Sequence, residues 1–196
     1  MRLTFSYFQG PAEDMAGLVE GERKCSLCGR TDACFELDFA ICTEFEDKDK
    51  EGKFGCVNCL KSGRFEFWHD TDIGVLDENG LTKVYNHSQI PPPDFHESAM
   101  TELRRTPQFV TWQQELWLTH CNDFMMYQGT WDPKDFYRHS PSGYGRALFY
   151  EMTDEWQNLW DESLPEGETK LIEWHATYYV FKCRHCGALK GNWDCD

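Results

Sequence analysis

The chain has 196 residues, 40% of them hydrophobic, and carries 34 acidic against 19 basic residues for a formal net charge of −15. That length buries a sizeable core, and eight Trp, eight Tyr and fourteen Phe give it the large apolar side chains of a globular rather than a disordered protein. The charge argues against DNA, RNA or anionic lipid as ligands, because phosphate binding needs a basic surface, and it favours a basic partner.

The first ten residues, MRLTFSYFQG, hold one basic residue and no long apolar run, so no signal peptide is expected there. No stretch approaches the roughly 18 apolar residues of a membrane span. The expected location is the cytoplasm. Ten cysteines in a cytoplasmic chain point to metal or redox chemistry rather than to a disulfide framework. Turn signals stand at Gly10-Pro11 and Gly17. Six of the cysteines fall in residues 25–75, where the charged run Glu44 to Lys53 reads as a solvated loop. Residues 76–98 read as loop, with a turn at Asn79-Gly80 and a stiff extended run at Pro91-Pro92-Pro93.

The strongest predicted helix spans residues 106–128. Thr106 can cap it, Pro107 suits its first turn, and Phe109, Trp112, Leu116, His120, Phe124 and Tyr127 recur at three- and four-residue steps. Trp117, Cys121 and Met125 widen that face, and Gly129 is a stop. Residues 130–147, rich in Gly, Pro, Asp and Ser, read as irregular. Glu151 to Asp161 is a candidate second short helix, and Leu164-Pro165-Glu166-Gly167 a turn. Trp174 to Phe181 reads as a strand running into Cys183. The expectation is an α+β fold in one domain over residues 1–196. Zinc-ribbon-like knuckles form a lobe at 20–75. A core at 76–196 holds the long helix and a C-terminal strand (174–182) that leads into a further knuckle.

Three CxxC pairs carry the chemistry: Cys25/Cys28, Cys56/Cys59 and Cys183/Cys186. Two intervening residues let both sulfurs face one ion from a tight turn, and zinc takes four such ligands in a tetrahedron. Gly29 and Gly187 follow two of the pairs and can adopt the positive φ that closes a knuckle; Gly63 comes later after the third. A single CxxC is also a redox motif, but two or three pairs point to structural Zn2+. Three pairs supply six thiols and a site uses four. In one arrangement 25/28 joins 56/59, and 183/186 recruits further ligands from His120, Cys121 and Cys195. In the other, 25/28 joins 183/186. Loop entropy favours the sequence-local closure. Cys34 and Cys42 read as small buried side chains.

The motifs CSLCG at 25–29, CVNCLKSG at 56–63, ELRRTPQFVTWQQELWLTHCND at 102–123 and YVFKCRHCG at 179–187 resemble, in order, those of the CbrC family of bacterial proteins, which are linked to tolerance of a nuclease-type colicin. Many members of that family carry Pro-Trp inside the second knuckle, where this chain has Val57-Asn58; both cysteines are kept. The resemblance implies a bacterial cytoplasmic protein without a defined biochemical activity.

Enzyme-like clusters occur at His69-Asp70-Thr71-Asp72 and His120-Cys121-Asn122-Asp123. A histidine beside carboxylates can move protons, and a cysteine beside a histidine can be a nucleophile. On a helix, however, neighbours such as His120 and Cys121 point about 100° apart, and His120 falls on the inward face. No nucleophile elbow, phosphate loop, dinucleotide fingerprint or HExxH motif is present. The expected function is therefore that of an acidic, zinc-stabilised protein that binds a basic protein partner, a nuclease toxin being one such partner. Glu44, Glu46, Asp47, Asp154 and Glu155 are the candidate contact residues. The alternative is a hydrolase or redox enzyme built on His120, Cys121 and Asp123.

Overall fold

The structure, a computed structural model, describes residues 3–82, 96–153 and 176–195. The proline run at 91–93, most of the expected helix 151–161 and the turn at 164–167 lie outside the described residues.

The N-terminal third is built around its cysteine turns. Strands β1 (Leu18–Lys24), β2 (Thr31–Glu36) and β3 (Phe54–Cys56) form an antiparallel sheet in that order, and helix α1 (Val57–Lys61) continues directly from β3. The first knuckle is the β1–β2 connection and the second is the β3–α1 junction, so pairing β2 with both neighbours brings the two knuckles to the same end of the sheet. The charged run Glu44 to Lys53 is mostly exposed, with one short 3-10 turn at Asp47–Asp49. Its exception is Lys50, whose ammonium is buried and donates to the Ala40 carbonyl at 2.7 Å.

Next comes a small antiparallel meander of β4 (His69–Thr71), β5 (Gly74–Asp77) and β6 (Gly80–Thr82). Residues 76–82 are thus partly strand rather than loop. The Asn79-Gly80 turn stands where the sequence puts it, with the Asp77 carboxylate accepting the Asn79 N–H at 2.7 Å. Helix α2 (Glu97–Arg104) follows.

The segment 106–128 is not a helix. It runs extended and irregular to Leu118, then forms the tight hairpin β7 (Thr119–His120) and β8 (Asp123–Phe124), then enters β9 (Met126–Trp131). Phe109, Trp117, Phe124 and Tyr127 are all buried, but Trp112, placed on the same predicted face, is 66% exposed. Aromatic and β-branched residues favour extended chain, and packing against distant strands overrides the helical spacing. Phe109 stacks on Tyr127, with ring centroids 4.6 Å apart and planes 11° from parallel, and it also meets Trp117, Tyr179 and Phe181.

The C-terminal sheet has the order β11 (Leu189–Cys195), β10 (Ala176–Lys182), β9, all antiparallel. Residues of β10 alternate between two apolar clusters, as a strand buried on both faces must. Tyr179 and Phe181 face the main core with Phe109 and Trp117, while Tyr178 and Val180 face Phe136, Leu148, Phe149 and Met152. Those last residues come from α3 (Pro133–His139) and α4 (Gly145–Thr153), so residues 130–147 are largely regular rather than irregular. Asp132 starts α3 by accepting the N–H groups of Lys134 at 2.7 Å and Asp135 at 3.0 Å, with Pro133 behind it. The chain start also packs on this sheet: Gln9 and Tyr127 exchange backbone bonds with Tyr127 and Tyr7, at 2.8 Å each. The overall class is mixed α+β, and β10 does carry the last knuckle into place. No helix among the described residues is long and apolar enough to cross a membrane.

Candidate metal centres

The first cluster joins Cys25, Cys28, Cys56 and Cys59. In the first knuckle the Cys25 N–H bonds the Arg30 carbonyl at 2.7 Å and the Gly29 N–H bonds the Cys25 carbonyl at 2.9 Å, with Gly29 at φ 75°. The backbone thus closes into a turn that aims N–H groups at sulfur: Cys25 Sγ accepts from Cys28 N at 3.4 Å and from Cys56 N at 3.3 Å. Cys25 Sγ lies 3.8 Å from Cys59 Sγ, and Cys28 Sγ lies 3.7 Å from Cys56 Sγ. A tetrahedron of sulfurs about 2.3 Å from a central ion has edges of about 3.8 Å, so these are the spacings a metal requires. The Arg64 guanidinium reaches Cys59 Sγ at 3.8 Å and is itself held by Glu44 at 2.7 Å.

The C-terminal knuckle repeats this geometry. The Cys183 N–H bonds the Ala188 carbonyl at 2.8 Å, the Gly187 N–H bonds the Cys183 carbonyl at 3.0 Å, and Gly187 sits at φ 77°. Here the partners are His120 and Cys121, and the second cluster is His120, Cys121, Cys183 and Cys186. Cys121 Sγ lies 3.3 Å from His120 Nδ1 and 3.8 Å from Cys186 Sγ, and Cys186 Sγ lies 3.4 Å from the same nitrogen. Adjacent residues converge because the chain is a hairpin there. Cys121 and Asn122 are the two turn residues between β7 and β8 and take φ 53° and 57°, the left-handed pair that a two-residue hairpin turn needs. The 100° separation expected on a helix does not arise. The backbone of Cys195 pairs with Ala176 at the far end of the β10–β11 hairpin, about 20 Å of strand from the end nearest the knuckle.

Each cluster holds one sulfur that ionises early. Burial pushes the Cys25 thiol up, but N–H groups of Cys28, Cys56 and Leu27 outweigh it and bring it down to about 7. At Cys183 burial is again outweighed, by the N–H groups of Cys186 and His185 and by the His120 side chain, and the thiol falls to about 6. Cys59 and Cys121 go the other way. Burial and the neighbouring sulfurs push Cys59 up, and Cys186 and burial push Cys121 up to about 11. A first thiolate is thus ready in each set, and a cation that binds it would draw the remaining protons off.

Around the second cluster stands a polar array of which the sequence singles out only Asp123. Asp123, buried at the base of β8, lies 2.8 Å from His185 Nε2, accepts the Tyr7 hydroxyl at 2.5 Å and is 3.5 Å from the Arg184 guanidinium. These groups, with His96, Glu102 and Cys121, line an open cleft of about 500 Å³. The other sequence candidates lie elsewhere. His69 is fully buried beside Glu115, Nδ1 to Oε2 2.9 Å. Cys34 and Cys42 are buried, and Cys34 donates to the Arg23 carbonyl at 3.4 Å. Glu46 pairs with Lys48 and Asp47 with Lys50, while Asp154 and Glu155 lie outside the described residues.

A family model described as uncharacterised protein family UPF0167 matches residues 3–195, nearly the whole of the chain and all eight clustered side chains. The chain belongs to the UPF0167 family. Among the family's curated members, UPF0167 protein PA1536 of Pseudomonas aeruginosa is 31% identical over 139 residues, covering 67% of this chain and 65% of that relative. The match therefore spans a little less than two thirds of the relative's length. No solved structure matches the chain.

Proposed function

We propose that this UPF0167 protein binds two structural Zn2+ ions, one at Cys25/Cys28/Cys56/Cys59 and one at His120/Cys121/Cys183/Cys186, and that the acidic molecule so stabilised acts by binding a basic protein partner. The carrying observation is the pair of four-donor clusters with sulfur–sulfur spacings of 3.7 and 3.8 Å. Four-sulfur and three-sulfur-one-nitrogen sets are the donor sets of structural zinc, and four protein donors leave no open position for water or substrate. That weighs against the hydrolase or redox reading of His120, Cys121 and Asp123, because the first two are spent as ligands. Thiolate ligation fits a reducing compartment, hence the cytoplasm.

The partner is argued from charge. A net −15 attracts a basic protein over long range and speeds its encounter. The resemblance to the CbrC family supplies a partner class, a nuclease-type toxin whose nucleic-acid cleft must be basic, in tolerance or immunity. Elemental analysis of purified, reduced protein tests the metal reading: two zinc per chain are expected, and iron or no metal would overturn it. Stopped-flow association with a purified nuclease-toxin domain, from low to high salt, tests the partner. Binding whose on-rate falls with salt is expected; no binding at low salt removes that half of the proposal.

A further inference from the structure

The two clusters are covered unequally. At the first, Cys25, Cys56 and Cys59 are buried and Cys28 alone is exposed. At the second, Cys121 and Cys186 are both exposed, with their sulfurs 3.8 Å apart, and Cys121 opens onto the 500 Å³ cleft. Cys183, the remaining sulfur, is 2% exposed and accepts the His185 N–H at 3.4 Å. A small oxidant arriving from solvent therefore meets two neighbouring sulfurs at the second cluster and one at the first.

From this asymmetry the geometry points to a redox-labile second centre: hydrogen peroxide joins Cys121 to Cys186 in a disulfide, and the metal held there is released while the first centre keeps its own. The inference rests on the two-zinc reading. In the first step the Cys186 thiolate attacks one peroxide oxygen, the O–O bond breaks, and hydroxide leaves a sulfenic acid on Cys186. In the second, the Cys121 thiolate attacks that sulfur and displaces a second hydroxide as the S–S bond forms. Two thiolates and one peroxide give one disulfide and two hydroxides; sulfur loses two electrons and the peroxide oxygens gain them. A disulfide needs its sulfurs at about 2.05 Å, so the pair closes by less than ~2 Å from its present spacing. Two of four donors are then lost, and His120 with Cys183 is too small a set to retain the ion. At the first centre Cys28 has only covered sulfurs for partners, among them Cys56 at 3.7 Å.

The test uses the full zinc-loaded chain. Its metal content is measured first, then peroxide is added while a chromophoric chelator reports free zinc, and disulfides are mapped by mass spectrometry of non-reduced peptides. One zinc per chain should appear, together with a Cys121–Cys186 cross-link that a dithiol reverses. A Cys121→Ser chain should give no cross-link to Cys186 from outside its own knuckle. Release of both zincs together, release of none, or a cross-link confined to Cys183–Cys186 or to the first cluster overturns the inference. A starting content below two overturns the metal reading instead. The cross-link is then mapped on the metal-free chain, where its absence counts against the disulfide alone.

Discussion

His185 Nε2 lies 2.8 Å from Asp123 Oδ2, and that contact ties together the two pieces of chain that carry the second candidate metal cluster. Asp123 ends the hairpin turn that begins with His120 and Cys121, and His185 sits between Cys183 and Cys186. The same carboxylate holds Tyr7 at 2.5 Å, so the chain start is drawn in as well. Carboxylates that orient ligand-bearing segments typically change metal affinity 10- to 100-fold when removed. Asp123→Ala should weaken cobalt binding at the second cluster by about that factor and leave the first unchanged. Titration with cobalt, followed by thiolate-to-metal charge-transfer absorbance, resolves the two phases; equal weakening of both would mean that Asp123 supports the fold rather than the site.

Loss of each centre should have a different structural cost. Cys25, Cys56 and Cys59 belong to the main apolar core with Phe35 and Phe65, whereas Cys186 is exposed at the edge. Metal binding to such sets is folding free energy. Cys25→Ser is expected to lower the melting temperature by more than about 10 °C, since 1 kcal/mol moves a domain of this size by about 2–4 °C; Cys186→Ser should lower it by less. Differential scanning calorimetry of the two variants, each with its zinc content measured, checks the order.

The knuckles were legible in the sequence because CxxC followed by glycine is a local geometry: spacing alone aims two sulfurs and demands the positive φ that Gly29 and Gly187 show. Loop entropy favours the 25/28–56/59 pairing without excluding 25/28–183/186, and the donor atoms of 25/28 and 56/59 do lie together, as do those of His120, Cys121, Cys183 and Cys186. The segment 106–128 is a different case. Phe109, Trp117, Phe124 and Tyr127 are core residues in either conformation, so their spacing could not distinguish a helix from a chain threaded under a sheet. The partners that decide it, Tyr179 and Phe181 on β10, lie more than fifty residues away in the sequence. The Asp132-Pro133 start of α3 is a local helix-start signal set in a stretch whose Gly, Pro, Asp and Ser content masks it. The contact of Asp123 with His185 spans 62 residues, and nothing in either neighbourhood announces it.

The metal-free chain should respond to pH in two directions. Cys183 and Cys25 are held below their ordinary range, at about 6 and about 7, so their contribution to stability is complete above the unfolded thiol value of about 8.5 and is lost as pH falls through 7 and then 6. Cys34 is pushed the other way, by burial and the nearby Cys25 and Cys56 charges, to about 12. Its contribution is present below about 8.5 and is lost as pH rises toward 12. Thiolate absorbance of the apo protein should therefore rise first between pH 6 and 7. Zinc should move that first rise to lower pH, because the ion competes with the same protons. A single rise near the unfolded value would contradict the N–H cradles around Cys25 and Cys183.

Glu115 is the support on which the 109–117 segment turns. It is buried, with its carboxyl pushed up by burial although His69 pulls it down, and it accepts the Phe109 N–H at 3.1 Å while standing 2.9 Å from His69 Nδ1. His69 is fully buried against the Trp117 ring, 5.3 Å between centroids. Glu115→Ala would therefore strand a backbone donor and an imidazole nitrogen together inside the core. Each such group costs about 1–3 kcal/mol, so a loss of about 2–6 kcal/mol is expected, whereas Glu115→Gln keeps an acceptor for the Phe109 N–H and should cost roughly half. Urea unfolding of the two variants at equal zinc content measures the difference. Equal losses would place the effect in the carboxylate charge facing His69. A negligible loss for both would mean that the 109–117 segment is held by its aromatic packing alone.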